Sequence, residues 1–497
     1  MGVAKTPYRT HHLCLLTLHR HAAMTLYINL AQLLGARIEQ GLYRPGDRLP
    51  SVRALSVEHG VSLSTVQQAY RTLEDQGLAL PRPKSGYYVP EERQKPALPM
   101  VSRTAQRPVE VSQWEQVLEL ISVEPGSEGL IQLGRGRPDH TSPTLKPLLR
   151  ALSRLSRRQD ISGLTYGCIR GHLPLRKQIS RLMLDSGCQI PGEDIVVTTG
   201  CHEALSAAIR AICEPGDIVA VDSPSFHGVM QALKGFGMKA LELPTDPLTG
   251  ISLEALELAL EQWPIKAIQL TPNCNNPMGY IMPDANKRAL IALAQRYDVA
   301  IIEDDVYGEL AYHYPRPRTI KSYDDDGRVL LCSSFSKTVV PGLRIGWIAP
   351  GRYLERVLHM KYMGTGTTAQ LPQMALTEFI EGGHYEPHIR RMRAQYMRSR
   401  DVMTDWVSRY FPAGTRVSRP QGSFMIWVEM PEGFDSLRLN RELKPHSIQI
   451  APGSIFSAAG KYRNCLRMSY ATKPDAKIEA AVKIVGETVG RLLAEHA

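Results

Sequence analysis

The chain lacks any uninterrupted apolar run of about 18 residues, so no membrane-spanning helix is expected from it. It also lacks a Cys-x-x-Cys pair. Its cysteines stand apart at positions 14, 168, 188, 201, 213, 274, 332 and 465, a scatter that indicates neither a zinc site nor a disulfide framework. Free thiols in a chain of 497 residues point instead to a reducing cytosol and a cytoplasmic protein. No internal repeat and no low-complexity tract is visible. Acidic residues are few for the bases present, 49 against 59 Lys and Arg, which leaves a formal net charge of +10. That excess suits a nucleic-acid binder but is spread over a large protein and does not argue for one by itself. The length has room for two or three domains. Residues 1–23 hold His11, His12, Cys14, His19 and His21 without clear periodicity. They have no clean apolar core or cleavage site, so they do not read as a secretory signal. No metal site is expected there; the segment up to residue 24 is read as an upstream extension, with Met24-Thr25-Leu26-Tyr27 opening the first domain.

What the chain does have is most concentrated at Ser334-Phe335-Ser336-Lys337, followed by Pro341-Gly342-Leu343-Arg344-Ile345-Gly346. A lysine among small hydroxyl residues, with an arginine seven positions on, suits an amine that forms a Schiff base beside a bound phosphate. Pyridoxal 5'-phosphate (PLP) needs both. Upstream, Ile301-Ile302-Glu303-Asp304-Asp305-Val306-Tyr307 is an apolar strand ending in acids. A buried carboxylate there can keep a pyridine nitrogen protonated, and Tyr307 can reach the ring hydroxyl. Asn276, held in extended geometry by Pro277, can donate to the same hydroxyl. Ile195 to Leu205 reads as strand, Gly200 turn and helix, whose first N–H groups suit a phosphate. Phe226, after the next strand, can stack on the ring.

In this order and spacing, residues 126–497 resemble the fold-type I aminotransferases, nearest to the kynurenine and aminoadipate group. The resemblance implies an α/β fold, with a large mostly parallel sheet domain and a smaller α+β domain. It implies that Lys337 carries the cofactor and Asp304 pairs with the ring nitrogen. Asn276 and Tyr307 would hold the ring oxygen. Ser334, Ser336, Arg344 and the Cys201–His202 turn would hold the phosphate. Arg467, in Asn464-Cys465-Leu466-Arg467-Met468-Ser469-Tyr470, would bind a substrate carboxylate, a task that suits its planar fork. Tyr166 would reach the phosphate of a neighbouring subunit, so a homodimer is implied. Where many relatives carry Ser or Ala and then Gln this chain has Cys201 and His202, and Phe226 stands where tyrosine is frequent.

The front of the chain follows a different pattern. Apolar positions 26, 30, 33, 34 and 38 fall at helical spacing. Gly41 and Arg44-Pro45-Gly46-Asp47 end that helix, and a second begins near Ser51 and stops at Gly60. A third runs over 64–76, with Val66, Ala69, Tyr70 and Leu73 inside and Ser64, Thr65, Gln67, Gln68 and Arg71 outside. Short and amide side chains of that kind suit a DNA groove, and a cation suits phosphate. Leu78 to Val89 reads as a hairpin with a basic tip, Arg82-Pro83-Lys84-Ser85-Gly86. Helix, turn, helix and basic hairpin make a winged helix-turn-helix over 25–90. Its Pro-Gly-Asp-Arg-Leu-Pro-Ser-x-Arg run and Ser-Gly-Tyr wing resemble GntR-type regulators. The resemblance implies operator contacts with double-stranded DNA from Arg53, Ser64, Thr65, Lys84 and Gly86. Residues 91–125 read as a linker, in which 111–121 suits a short amphipathic helix docking on the next domain.

A GntR-type reader joined to an aminotransferase-like domain is similar to the MocR subfamily. The expectation is a transcriptional regulator that binds PLP on Lys337 and senses PLP itself or an amino compound. The alternative is a working aminotransferase that carries a DNA-binding domain.

Overall fold

The structure, a computed structural model, describes residues 12–75, 78–82, 85–90, 96–101, 107–122, 129–157 and 161–495, with the backbone alone over 12–25 and at 75, 161 and 162. Two compact units result, Met1–Lys95 and Pro96–Ala497.

The first unit has helices α1 (His12–Glu39), α2 (Val52–His59) and α3 (Leu63–Asp75) and a hairpin of β1 (Leu80–Arg82) and β2 (Gly86–Tyr88). Helix α1 starts at His12, well before the position where apolar periodicity begins; His11 lies outside the described residues. Ser51 caps α2 by accepting from the Ala54 N–H at 3.1 Å, and Gly60 ends it at φ 62°, a conformation that favours glycine. The core takes Leu30, Ala31 and Leu34 from α1, Leu55 from α2, and Val66, Ala69, Tyr70 and Leu73 from α3. It covers a narrower stripe of α1 than the spacing predicts, since Leu26 and Leu33 remain exposed. Tyr70 joins helix to wing. Its ring stacks on Tyr87 at 4.1 Å, and its hydroxyl donates to the Pro50 carbonyl.

The second unit opens with α4 (Trp114–Ile121), β3 (Ile131–Gln132), α5 (Lys146–Ser156) and α6 (Leu173–Met183). Strand and helix then alternate through β4 (Val196–Thr198), α7 (Cys201–Ile212), β5 (Ile218–Ser223), α8 (His227–Gly235), β6 (Lys239–Asp246), β7 (Gly250–Ile251), α9 (Leu253–Gln262), β8 (Ile265–Leu270), α10 (Asp284–Arg296), β9 (Ala300–Asp304), β10 (Val329–Ser334) and β11 (Gly346–Ala349). The strands order as β4-β11-β10-β9-β8-β5-β6-β7. The run from β10 to β6 is parallel, while β11 and β7 are antiparallel to their neighbours. Consecutive strand residues pack on opposite faces. Val196, Ile302 and Leu330 meet the side of α7 and α8, while Val197, Ile301 and Leu331 meet helices on the other side. Both faces are therefore covered, as parallel strands require.

After α11 (Leu354–Gly364), α12 (Gln370–Glu381) and α13 (Tyr385–Tyr410) comes a smaller lobe of β12 (Arg416–Val417), β13 (Met425–Glu429), α14 (Ser436–Glu442), β14 (Ile448–Gln449), β15 (Ala451–Pro452), β16 (Cys465–Ser469) and α15 (Ala476–Ala494). Its antiparallel sheet runs β12-β13-β16-β15, and β14 pairs with β3. Much of the stretch expected as a linker is fastened to this unit. The Val417 N–H donates to the Ala97 carbonyl at 2.8 Å, the Met100 N–H to Glu429 at 2.8 Å, and Val109 bridges Ala240. Helix α4 docks as its amphipathic pattern suggests, burying Val117 and Leu120 against Trp427, Ile455 and Phe456. Residues 91–95, 102–106 and 123–128 of that stretch lie outside the described residues.

Candidate functional site

In open α/β sheets, ligands bind beyond the carboxyl ends of the strands. The expected residues gather there. Two residues after β4 comes Gly200, which takes φ 81° and caps α7. A Cβ on Gly200 would sit 2.4 Å from the Arg344 guanidinium, and one on Gly346 would sit 2.4 Å from the Gly200 carbonyl carbon. The turn is thus a tight cradle that only glycine fits. Arg344 donates to the Thr199 carbonyl at 3.0 Å. Glu203, missed in the sequence, accepts from the Thr199 N–H and pairs at 3.1 Å with the buried Lys361. Its signal was present: an acid in the third helical position, as in a capping box.

Lys337 follows β10, and its amine donates to the Gly136 carbonyl at 2.6 Å. Burial, and then the charge of Arg467, push its pKa down to about 8, which brings the amine toward the neutral, nucleophilic form. Asp304 ends β9. It accepts from the Val306 N–H at 3.3 Å and lies 3.6 Å from the Cys201 thiol. Burial pushes its pKa up to about 7, against these two donors. Cys201 is therefore turned toward Asp304, and its own pKa is raised by burial and then by that carboxylate. Tyr307 is buried, edge-on to Phe424 at 5.9 Å. The Ser336 N–H donates to the Ser334 hydroxyl at 3.3 Å, while the Ser336 hydroxyl is buried with no partner.

Arg467, from β16, is 2 % exposed. Its fork donates to the Asn276 side-chain oxygen at 2.8 Å and to the Gly134 carbonyl at 2.5 Å, its Nε has no partner, and its guanidinium lies 4.9 Å from the Phe456 ring centre. No carboxylate pairs with it among the described residues. Burial, opposed only by Tyr307, pulls its pKa down to about 10. Phe226 lies 5.7 Å from His202 and 4.7 Å from His227. His227 was also missed. Burial, then Arg467, His202 and Lys337, hold its pKa well below the usual value, and its Nδ1 is buried without a partner. A histidine next to Phe226 carries no pattern that marks it in the sequence. Tyr166 is 95 % exposed and does not join the group gathered in its own chain.

PLP fits this set. The glycine cradle at a helix start, with Arg344 and the orphaned Ser336 hydroxyl, suits its phosphate, the buried Asp304 suits a ring nitrogen, and Lys337 suits an aldehyde.

In the first unit Arg53 is exposed on α2. Ser64 and Thr65 lie in the first turn of α3, and each hydroxyl lies 2.8 Å from that of Ser62. Gly86 takes φ 111° in the wing beside the Arg48 side chain. Lys84 lies outside the described residues.

The sequence profile described as Aminotransferase class I and II matches residues 128–485, and that of bacterial regulatory proteins, gntR family, matches 26–89. The chain belongs to the GntR-type regulators fused to an aminotransferase class I and II domain. This is the MocR architecture. It is 54 % identical over 470 residues to the uncharacterized HTH-type transcriptional regulator YjiR of Escherichia coli K12, covering 95 % of this chain and 100 % of that one. It is 36 % identical to YdcR, of the same description and organism, over 94 % of this chain and 99 % of that one. Among solved structures, LysN, the alpha-aminoadipate aminotransferase of Thermus thermophilus, superposes with a TM-score of 0.70 at 26 % identity, covering 76 % of this chain and 95 % of that one. The kynurenine aminotransferase of Pyrococcus horikoshii gives 0.69 at 29 %, covering 77 % and 95 %. The cofactor of this MocR-type chain is PLP. Among the described residues, no helix is long and apolar enough to cross a membrane, and no group of His, Cys, Asp and Glu is placed to hold a metal ion.

Proposed function

We propose that the chain is a DNA-binding regulator whose aminotransferase-like domain senses an amino compound bearing a carboxylate. Arg467 carries this reading. A guanidinium removed from water without a counter-charge is unfavourable, and an arriving carboxylate would supply the bidentate partner it lacks. When bound, PLP supplies an aldehyde that takes up primary amines and a ring that withdraws electrons. Lys337 would hold it covalently, and Asp304 would face its ring nitrogen. Asn276, whose oxygen already accepts from Arg467, would turn its amide N–H to the ring oxygen beside Tyr307. Phe226 would stack. Ser334, Ser336, Arg344 and the N–H groups at Cys201 and His202 would hold the phosphate. The exposure of Tyr166 supports a homodimer in which it serves the other copy's site. Arg53 and Lys84 would grip DNA phosphates, with Ser64, Thr65 and Gly86 at the helix and wing contacts. Bacterial regulators of the gntR family read chromosomal DNA in the cytoplasm, and this chain would work there too.

A working aminotransferase is the second reading, favoured by the presence of Lys337, Asp304 and Arg467 together in one buried site. One pair of measurements separates the two. Operator affinity is followed with and without a panel of amino acids, on DNA selected by the protein from a random library, and amino-group transfer to a keto acid is followed in parallel. Ligand-dependent DNA binding without turnover is expected. Steady turnover with no effect on DNA binding would overturn the sensor. The purified protein is expected to be yellow, and Lys337→Ala colourless; a wild-type protein that stays colourless with added PLP would end the cofactor reading.

A further inference from the structure

The first turn of α3 exposes an apolar side chain. Leu63, the first residue of the helix, is 49 % exposed. Its polar neighbours turn toward one another, because Ser64 and Thr65 each spend a hydrogen bond on the Ser62 hydroxyl, which also accepts from the Thr65 N–H at 3.1 Å. Val66 and Tyr70, three and seven positions on, are sealed in the core with Ala69 and Leu73 at 0 % exposure, so the roll of the helix is fixed and Leu63 stands at the open margin of that packed face. Gln67, one turn further on, is exposed on the same ridge as Leu63. In a helix-turn-helix, the second helix lies in the major groove with its N-terminal residues at the base edges. The one base feature there that an aliphatic side chain matches is the thymine C5-methyl group.

We propose that Leu63 is a specificity-determining residue that reads a thymine methyl in the operator. The contact adds no hydrogen bond; it removes from water a methyl and a leucine side chain that are both otherwise hydrated. Gln67 on the same ridge is placed to donate and accept at a neighbouring base edge. The proposal rests on the DNA-binding reading of this unit.

The test uses the full-length protein and DNA selected from a random library. Each thymine of the selected site is replaced singly by deoxyuridine, which removes only the methyl. Wild-type protein is expected to lose about fourfold in affinity at one position of the half-site, with other positions near unchanged. Leu63→Ala should bind the thymine and deoxyuridine forms of that position equally, and Leu63→Met should keep the discrimination. If the protein selects no site, the DNA-binding reading falls and the proposal with it. If it selects a site but no single replacement matters, or Leu63→Ala remains as sensitive as wild type, Leu63 does not read a methyl while DNA binding stands.

Discussion

Two fully buried arginines of the larger unit make an instructive pair. Arg316 pairs with Asp305 and, at 2.7 Å, with Glu309, and Asp305 also accepts from Asn273 at 2.9 Å. Burial lowers the pKa of Arg316, but the two carboxylates outweigh it and hold it above the usual value. Arg467 has the same burial and no acid, and its pKa falls to about 10. One cation is satisfied by the chain and belongs to the scaffold. The other has no acid beside it among the described residues and would take its counter-charge from a ligand. Burial alone does not distinguish a structural arginine from a binding one; the inventory of counter-charges does.

The sharpest way to break that contrast is to remove each in turn. Arg316→Met leaves Asp305 without its cation, while Glu309 keeps Arg393 at 3.3 Å, and is expected to cost about 3–5 kcal/mol in denaturant unfolding. Arg467→Met removes an uncompensated charge and loses only two hydrogen bonds to neutral acceptors. Its stability is expected within about 1–2 kcal/mol of wild type, while the amino-acid response of operator affinity, expected at about 5–150-fold, disappears. Equal destabilisation by both would erase the distinction.

The pH dependence of the cofactor-free protein sharpens it further. The folded pKa of Asp304 is raised from 3.8 to about 7, so the native state holds a proton that the unfolded chain has released. Stability should therefore fall as pH rises from 4 to 7, and Asp304→Asn should flatten that slope. The folded pKa of Lys337 is lowered from 10.5 to about 8, so the unfolded chain holds the extra proton. Its contribution is unfavourable below pH 8 and is relieved as pH rises from 8 toward 10.5, a rise that Lys337→Met should remove. Urea midpoints across pH check both signs. The smallest effect belongs to the other unit: Arg53→Ala should weaken DNA binding across sequences and reduce the slope of log affinity against log salt by about 1.

The parts of this molecule that depend on local chain geometry were legible in the sequence. Ser51, Gly60 and Gly200 announce helix ends by their own conformational needs, and the α4 pattern announces its docking face. The set Asp304, Asn276, Lys337, Arg344 and Arg467 was legible because each follows or belongs to a strand that brings it to one edge. What was not legible depends on distant partners. His227 matters because Phe456 and Arg467, more than two hundred residues away in sequence, close around it. The Lys361 partner of Glu203 comes from another helix. The mutual bonding of Ser62, Ser64 and Thr65 is short in range, yet a pattern of exposed hydroxyls says nothing of where they point.

The place where residues 97–100 are fastened has a mechanical meaning. Ala97 and Met100 are bonded to β12 and β13, and β13 pairs directly with β16, where Trp427 is opposite Arg467. The chain thus leaves for its DNA-binding unit from the same small sheet that holds the unpaired Arg467. Val109 is stitched to the large sheet instead. Residues 97 and 100 are thus held by the small lobe and Val109 by the large one, so the chain is fastened to both lobes before α4 begins.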